Sequence, residues 1–153
     1  MLNNPSLASY KFATKSVTFD GTAGLGAQGA VPLFTVTGEI IVVYLVPYVV
    51  LTLGQDVGTP TLALGVTNST GLFIGATTAT ALATGEFWTE ATGGGTAAAG
   101  VGLPAAGTSA PQLKDVAVTS NIIGTVGGTN KVNAGTLRLD MYWLPLSSDG
   151  AVT

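Results

Sequence analysis

Glu86 and Glu90 flank Trp88 in the stretch Gly85 to Ala91, GEFWTEA. Two carboxylates beside an aromatic ring are the equipment of a glycosidase. Read as a strand, however, the segment sets residues four apart about 13 Å from each other at the Cα atoms. Glycosidases hold their carboxyl groups ~5–9.5 Å apart, so solvation of an exposed strand face is the better reading. A second candidate is Gly24-Leu25-Gly26-Ala27-Gln28-Gly29, which comes after an expected strand and matches the dinucleotide fingerprint letter for letter. That fingerprint needs a helix to open there and present its N-terminus to a pyrophosphate. The next residues, AVPLFTVT, are of β type, so a plain glycine-rich turn is expected. Tyr44 and Tyr48 could line a sugar-binding face, but packing in a core or an interface is favoured. Arg138 and Asp140, two positions apart on one strand face, fit a surface ion pair worth ~0–1 kcal/mol.

Absences narrow the chemistry further. The 153 residues include neither histidine nor cysteine. This removes imidazole bases, Ser-His-Asp and Cys-His nucleophile systems, disulfides and nearly all zinc, copper and iron sites. Asp20, Asp56, Asp115 and Asp149 lack calcium-loop spacing. The expectation is a protein that is not an enzyme and has no metal or cofactor. Only 8% of residues are charged, the net charge is −3, and Lys11, Lys15, Lys114, Lys131 and Arg138 are scattered, which argues against nucleic acid as a partner. The mean hydropathy of +0.52 is high even for a fully folded soluble monomer, so something other than charge, contact with other chains, should hide apolar surface.

The apolar surplus is greatest in Glu39 to Leu53, EIIVVYLVPYVVLTL. As a helix, its apolar part would span about 21 Å, short of the ~30 Å hydrocarbon core of a bilayer, and Pro47 would interrupt it. No membrane partner is therefore expected. As a strand, or two strands bent at Pro47, its β-branched and aromatic residues on both parities imply cover on both faces, one by the core and one by a second layer or another subunit. The N-terminal MLNNPSLASYK lacks a basic start followed by an apolar run, so synthesis in a cytoplasm is expected.

Along the chain, residues 1–14 read as an arm, 15–146 as one β-sandwich domain and 147–153 as a tail. Strands are expected over Ser16 to Asp20, Val31 to Thr37, Glu39 to Leu53, Thr61 to Thr67, Leu72 to Ile74, Gly85 to Ala91, Leu113 to Ile123 and Thr136 to Leu146. Asn68-Ser69-Thr70-Gly71 supplies hairpin chemistry; it also contains a glycosylation sequon, for which the turn reading is preferred. Thr77 to Thr84 is ambiguous between strand and helical turn, and Gly124 to Gly135 should hold turns. Thr136 to Leu146 alternates most clearly, with Leu137, Leu139, Met141 and Trp143 inward. The 92–111 stretch of Gly, Ala, Thr, Ser and Pro is expected to be an extended loop, either packed between subunits, the favoured reading, or a floppy excursion. Roughly seven to nine strands and no helix indicate an all-β fold of two antiparallel sheets, jelly-roll-like in topology.

Four stretches, FTVTGEIIVVYLV, TLALGVTNSTGLFIGATTATAL, GEFWTEA and AGTLRLDMYWLPLSSDGAV, resemble small virion proteins of tailed bacteriophages and prophages, over about Val31 to Val152. The shared features are a V-x-G strand opening, a GE-aromatic-W strand and an AGTL…W-x-PLS-x-DG ending. The resemblance implies a capsid decoration or cement protein: a jelly-roll oligomer, a trimer by expectation, bound outside the head to the major capsid protein, with no catalytic residues. Expected interface residues are Tyr44, Tyr48, Trp88 and Tyr142. The competing expectation is a tail-fibre or receptor-binding module that recognises host glycans.

Overall fold

The computed structural model describes residues 10–92, 96–97 and 115–153. Twelve strands are present among them. They are β1 (Lys11–Thr18), β2 (Gly29–Phe34), β3 (Val36–Thr37), β4 (Ile40–Gly54), β5 (Pro60–Val66), β6 (Ser69–Thr78), β7 (Glu90–Thr92), β8 (Thr96–Ala97), β9 (Val116–Val118), β10 (Ile122–Gly128), β11 (Ala134–Pro145) and β12 (Ala151–Val152). A single 3-10 turn, Ala79–Ala81, comes after β6, which resolves the ambiguous 77–84 stretch into a strand end and a tight turn.

Two four-stranded antiparallel sheets carry the fold, ordered β1-β11-β4-β9 and β2-β10-β5-β6. Among these eight strands the first pairs with the last, the second with the last but one, the third with the sixth and the fourth with the fifth. One long antiparallel hairpin folded over on itself lays down its strands in that nested order. Their inner faces form one core, which includes Val17, Val42, Leu45, Val49, Leu137, Leu139, Met141 and Trp143 from the first sheet. The second contributes Val31, Leu33, Leu62, Leu64, Phe73, Ile74, Ile122 and Val126. The alternation expected for Thr136 to Leu146 is observed residue by residue from Leu137 to Trp143. In β5, Leu62, Leu64 and Val66 are buried as expected, but so are Ala63 and Gly65, because this strand is covered on both faces. The β5–β6 hairpin turns at Thr67-Asn68.

β4 runs unbroken through Pro47, and both features that made it hard to read have local causes. In a strand a residue's N–H and C=O point to the same side. The Pro47 carbonyl accepts a hydrogen bond from the Trp88 N–H at 3.0 Å, away from β11, so the missing proline N–H takes no bond from the β4–β11 ladder. The apolar residues on both parities arise partly from a register shift. Tyr44 faces Tyr142 while Val42 faces Trp143, so Val43 is an extra residue whose bulge reverses the in-out phase. Ile40 and Val42 are buried before it; Leu45, Pro47 and Val49 are buried after it.

Several boundaries differ from expectation. Residues 11–14 belong to β1 rather than to an arm; residues 1–9, like most of the 92–111 loop, lie outside the described residues. GEFWTEA is not a regular strand. Its first half runs beside β4 as an irregular strip, with Gly85 N–H to the Val49 carbonyl and Val49 N–H to the Glu86 carbonyl, both 2.9 Å, and an isolated bridge from Phe87 to Tyr48. This strip covers the β4 edge from Pro47 onward, beyond the three residues Ile40 to Val42 that pair with β9. Leu113 to Ile123 is divided between β9 of one sheet and β10 of the other. Asn121 lies at the crossing, its side-chain oxygen accepting from the Val36 N–H at 3.0 Å. Strand β10 also occupies 124–128, where turns were expected. The tail is no loose end, since β12 pairs with β3.

Candidate functional site

The glycine-rich turn is a loop that ties strands together. Asp20 fixes its start by accepting from the Thr22 N–H at 2.8 Å and the Thr22 hydroxyl at 2.6 Å. Those two hydrogen bonds hold the Asp20 carboxyl below its ordinary pKa, with Lys131 a smaller contribution. Gly26 closes the loop against Val132, whose N–H donates to the Gly26 carbonyl at 2.9 Å. The loop leads into β2 rather than a helix, so the fingerprint has no N-terminus to offer a phosphate.

Glu86 is likewise committed to backbone, accepting from the Ala83 N–H at 2.9 Å in the turn before the strip. The Glu90 side chain lies outside the described residues. Between the two, Trp88 corrects the interface expectation. It is 1% exposed and its indole N–H donates to the Thr77 hydroxyl at 3.0 Å, so this ring closes the core under the strip and reaches no partner. Its neighbour Phe87 bridges to Tyr48 instead.

The remaining expected interface residues share one surface, the outer face of the β1-β11-β4-β9 sheet. Register places Phe12, Tyr142 and Tyr44 side by side on three adjacent strands. The rings of Phe12 and Tyr142 lie 5.1 Å apart at 54°. Tyr44 is 39% and Tyr142 45% exposed. Tyr48 is only half-exposed, because Phe87 packs on it at 5.2 Å and the Arg138 guanidinium lies 5.1 Å from its ring centre. Arg138 and Asp140 form the expected ion pair at 3.0 Å, and the Thr14 hydroxyl donates to Asp140 at 2.8 Å. Toward the other end of β4, Val50 and Leu51 are exposed, as is Val57 in the loop beyond. The second sheet differs: among the described residues of its strands, Leu72 is the one large apolar side chain left exposed.

At the Tyr44 end the face hollows into a groove of about 550 Å³ lined by Tyr10, Val43, Tyr44, Asp115 and Tyr142. Asp115 adopts the left-handed backbone region, φ 59°, which Asp tolerates better than most residues. Sequence reasoning placed Tyr10 in an arm and Asp115 among scattered acids. Neither carries a local signal, because they meet only through the pairing of β1 with β11 and β4 with β9.

Among the described residues no group of three or more Asp or Glu could hold a metal ion, and no helix is long and apolar enough to cross a membrane. Comparison with family models, with curated proteins and with solved structures found no match.

Proposed function

We propose that this protein is a structural component of a tailed-phage virion, which self-associates, as a trimer, and binds the outside of the capsid to tie neighbouring shell subunits together. The observation that carries the reading is the uncovered apolar end of one sheet: Val50, Leu51 and Val57 stand in solvent on a chain that is only 8% charged. Large apolar side chains left in solvent close together in the chain are the raw material of a protein contact. A standard interface removes about 1,200–2,000 Å² from water around a central apolar cluster. The acidic balance suits the exterior of a DNA-filled shell better than its lumen. The phage-like motifs point the same way. Bridging copies would raise the free energy needed to part shell subunits under internal DNA pressure. No catalysis, cofactor or nucleic acid enters this role.

The test is addition of purified protein to expanded, empty capsids of a tailed phage, with the free chain weighed by light scattering. The expected results are a free mass near 46 kDa, three copies of 15.2 kDa, co-sedimentation with the shells and raised shell resistance to heat. A stable monomer that leaves the shells in the pellet alone would overturn the proposal.

A further inference from the structure

We propose that the groove between Tyr10, Tyr44 and Tyr142 binds an uncharged oligosaccharide, its sugar rings stacked on the tyrosines and its hydroxyls donating to Asp115. The inference does not depend on the shell-binding role; it reassigns the Tyr44–Tyr142 end of the sheet from a contact between copies to a ligand site.

Three of the chain's four tyrosines line this one groove. Among the described residues, no hydrogen bond or ion pair engages their hydroxyls or the Asp115 carboxylate. A sugar ring presents C–H groups on its faces and hydroxyls around its rim. Tyrosine matches both parts with a broad apolar ring that ends in a hydroxyl. A carboxylate accepts only, and hydroxyl rims supply donors. The volume of about 550 Å³ lies within the ~300–1,000 Å³ range of small-ligand sites. Tyr142 and Tyr44 stand on neighbouring strands at a spacing of ~4.8 Å, so both rings can meet one ligand.

Other occupants fit less well. Among the described residues no Lys or Arg lines the groove, and the unpaired Asp115 would repel acidic sugars or phosphate. An apolar peptide would bury three phenols and a carboxylate without partners, which is costly. A second copy packed about a two-fold axis through the groove would bring the two Asp115 carboxylates toward each other, and in a trimer a neighbour's apolar side chains would bury the same phenols and carboxylate without partners. A lone quaternary ammonium group would leave most of the space unfilled. Tyr48, the sugar-lining partner suggested by its spacing from Tyr44, is covered by Phe87; Tyr142 takes that place across the strand pair.

The test is a glycan array probed with the fluorescently labelled full chain, carrying neutral and acidic oligosaccharides, with immobilised choline as a separate arm. Retention on neutral glycans alone is expected. Titration calorimetry with the best neutral oligosaccharide should give roughly tenfold weaker binding for Tyr44→Ala and for Tyr142→Ala, and a smaller loss for Asp115→Asn. Leu51→Ser, at the far end of the sheet, should bind as the parent does. Because Tyr44 and Tyr142 are exposed, the variants should keep the parent's circular dichroism spectrum. No retention on neutral glycans, retention only on acidic glycans or on choline, or unchanged affinity in folded Tyr142→Ala would each overturn the assignment. None of these outcomes bears on whether the chain binds shells.

Discussion

Trp88 shows how one side chain can settle the role of a whole segment. Its ring seals the core and its N–H is matched by Thr77, which itself donates to the Gly75 carbonyl. Trp88→Phe keeps much of the apolar contact but removes a buried hydrogen bond, and should cost about 1–3 kcal/mol. Trp88→Ala should cost ~3–5 kcal/mol. Urea unfolding checks both, and a shifted midpoint with an unchanged slope is expected for the Phe variant. Asp20 acts on a smaller scale, through pH. Its folded-state pKa lies below the ordinary value, so its stabilising effect is present above that value, ~3.9, and is lost as pH falls through the depressed one. Asp20→Asn should therefore melt slightly below the parent at about pH 5, and the gap should close toward about pH 2.

At the scale of elements, the organising problem is the fifteen-residue β4, paired along its length with β11 but by β9 over only three residues. The strip from Leu82 to Trp88 takes up the edge from Pro47 to Leu53. The Leu53 N–H donates to the Leu82 carbonyl at 3.1 Å, and Thr52 and Thr84 exchange bonds through their hydroxyls. From it Trp88 turns into the core and Phe87 packs on Tyr48. The loop before β2 is constrained at Gly26, where φ is +118° and an added Cβ would sit 1.9 Å from the Val132 carbonyl oxygen. Gly26→Ala should thus combine backbone strain with a clash and cost at least ~2 kcal/mol, visible as a lowered melting temperature. A nucleotide-binding glycine would instead show its effect in ligand affinity.

For the whole molecule, the two outer sheet faces are unequal, and the uneven one divides into two ends. Along β4, Tyr44 and Leu51 are about 23 Å apart at ~3.3 Å per residue, far enough for separate roles. Leu51→Ser should lower the mass of the assembled protein toward that of one chain in light scattering, while Tyr142→Ala should leave that mass unchanged. Side chains this exposed add little to the fold, so both variants should keep the parent's melting temperature within a few degrees.

The sequence by itself determined the elements whose pattern is local. Period-two alternation is a property of a single strand, so the inward sets Leu62, Leu64, Val66 and Leu137, Leu139, Met141, Trp143 were legible, as were the Asn68 hairpin and the all-β class. Apolar residues on both parities of β4 were legible too, but their cause was not, because a bulge exists only relative to the partner strand that it fails to match. The same holds for the split of Leu113 to Ile123 between two sheets, the return of Ala151–Val152 to β3 and the burial of Trp88. Only the tertiary structure could set Phe12 beside Tyr142 and Tyr44, and bring Tyr10 and Asp115 to the same hollow. Those neighbours are remote in sequence, and register between distant strands is chosen by the packing of the whole core, on which no short stretch of residues carries information.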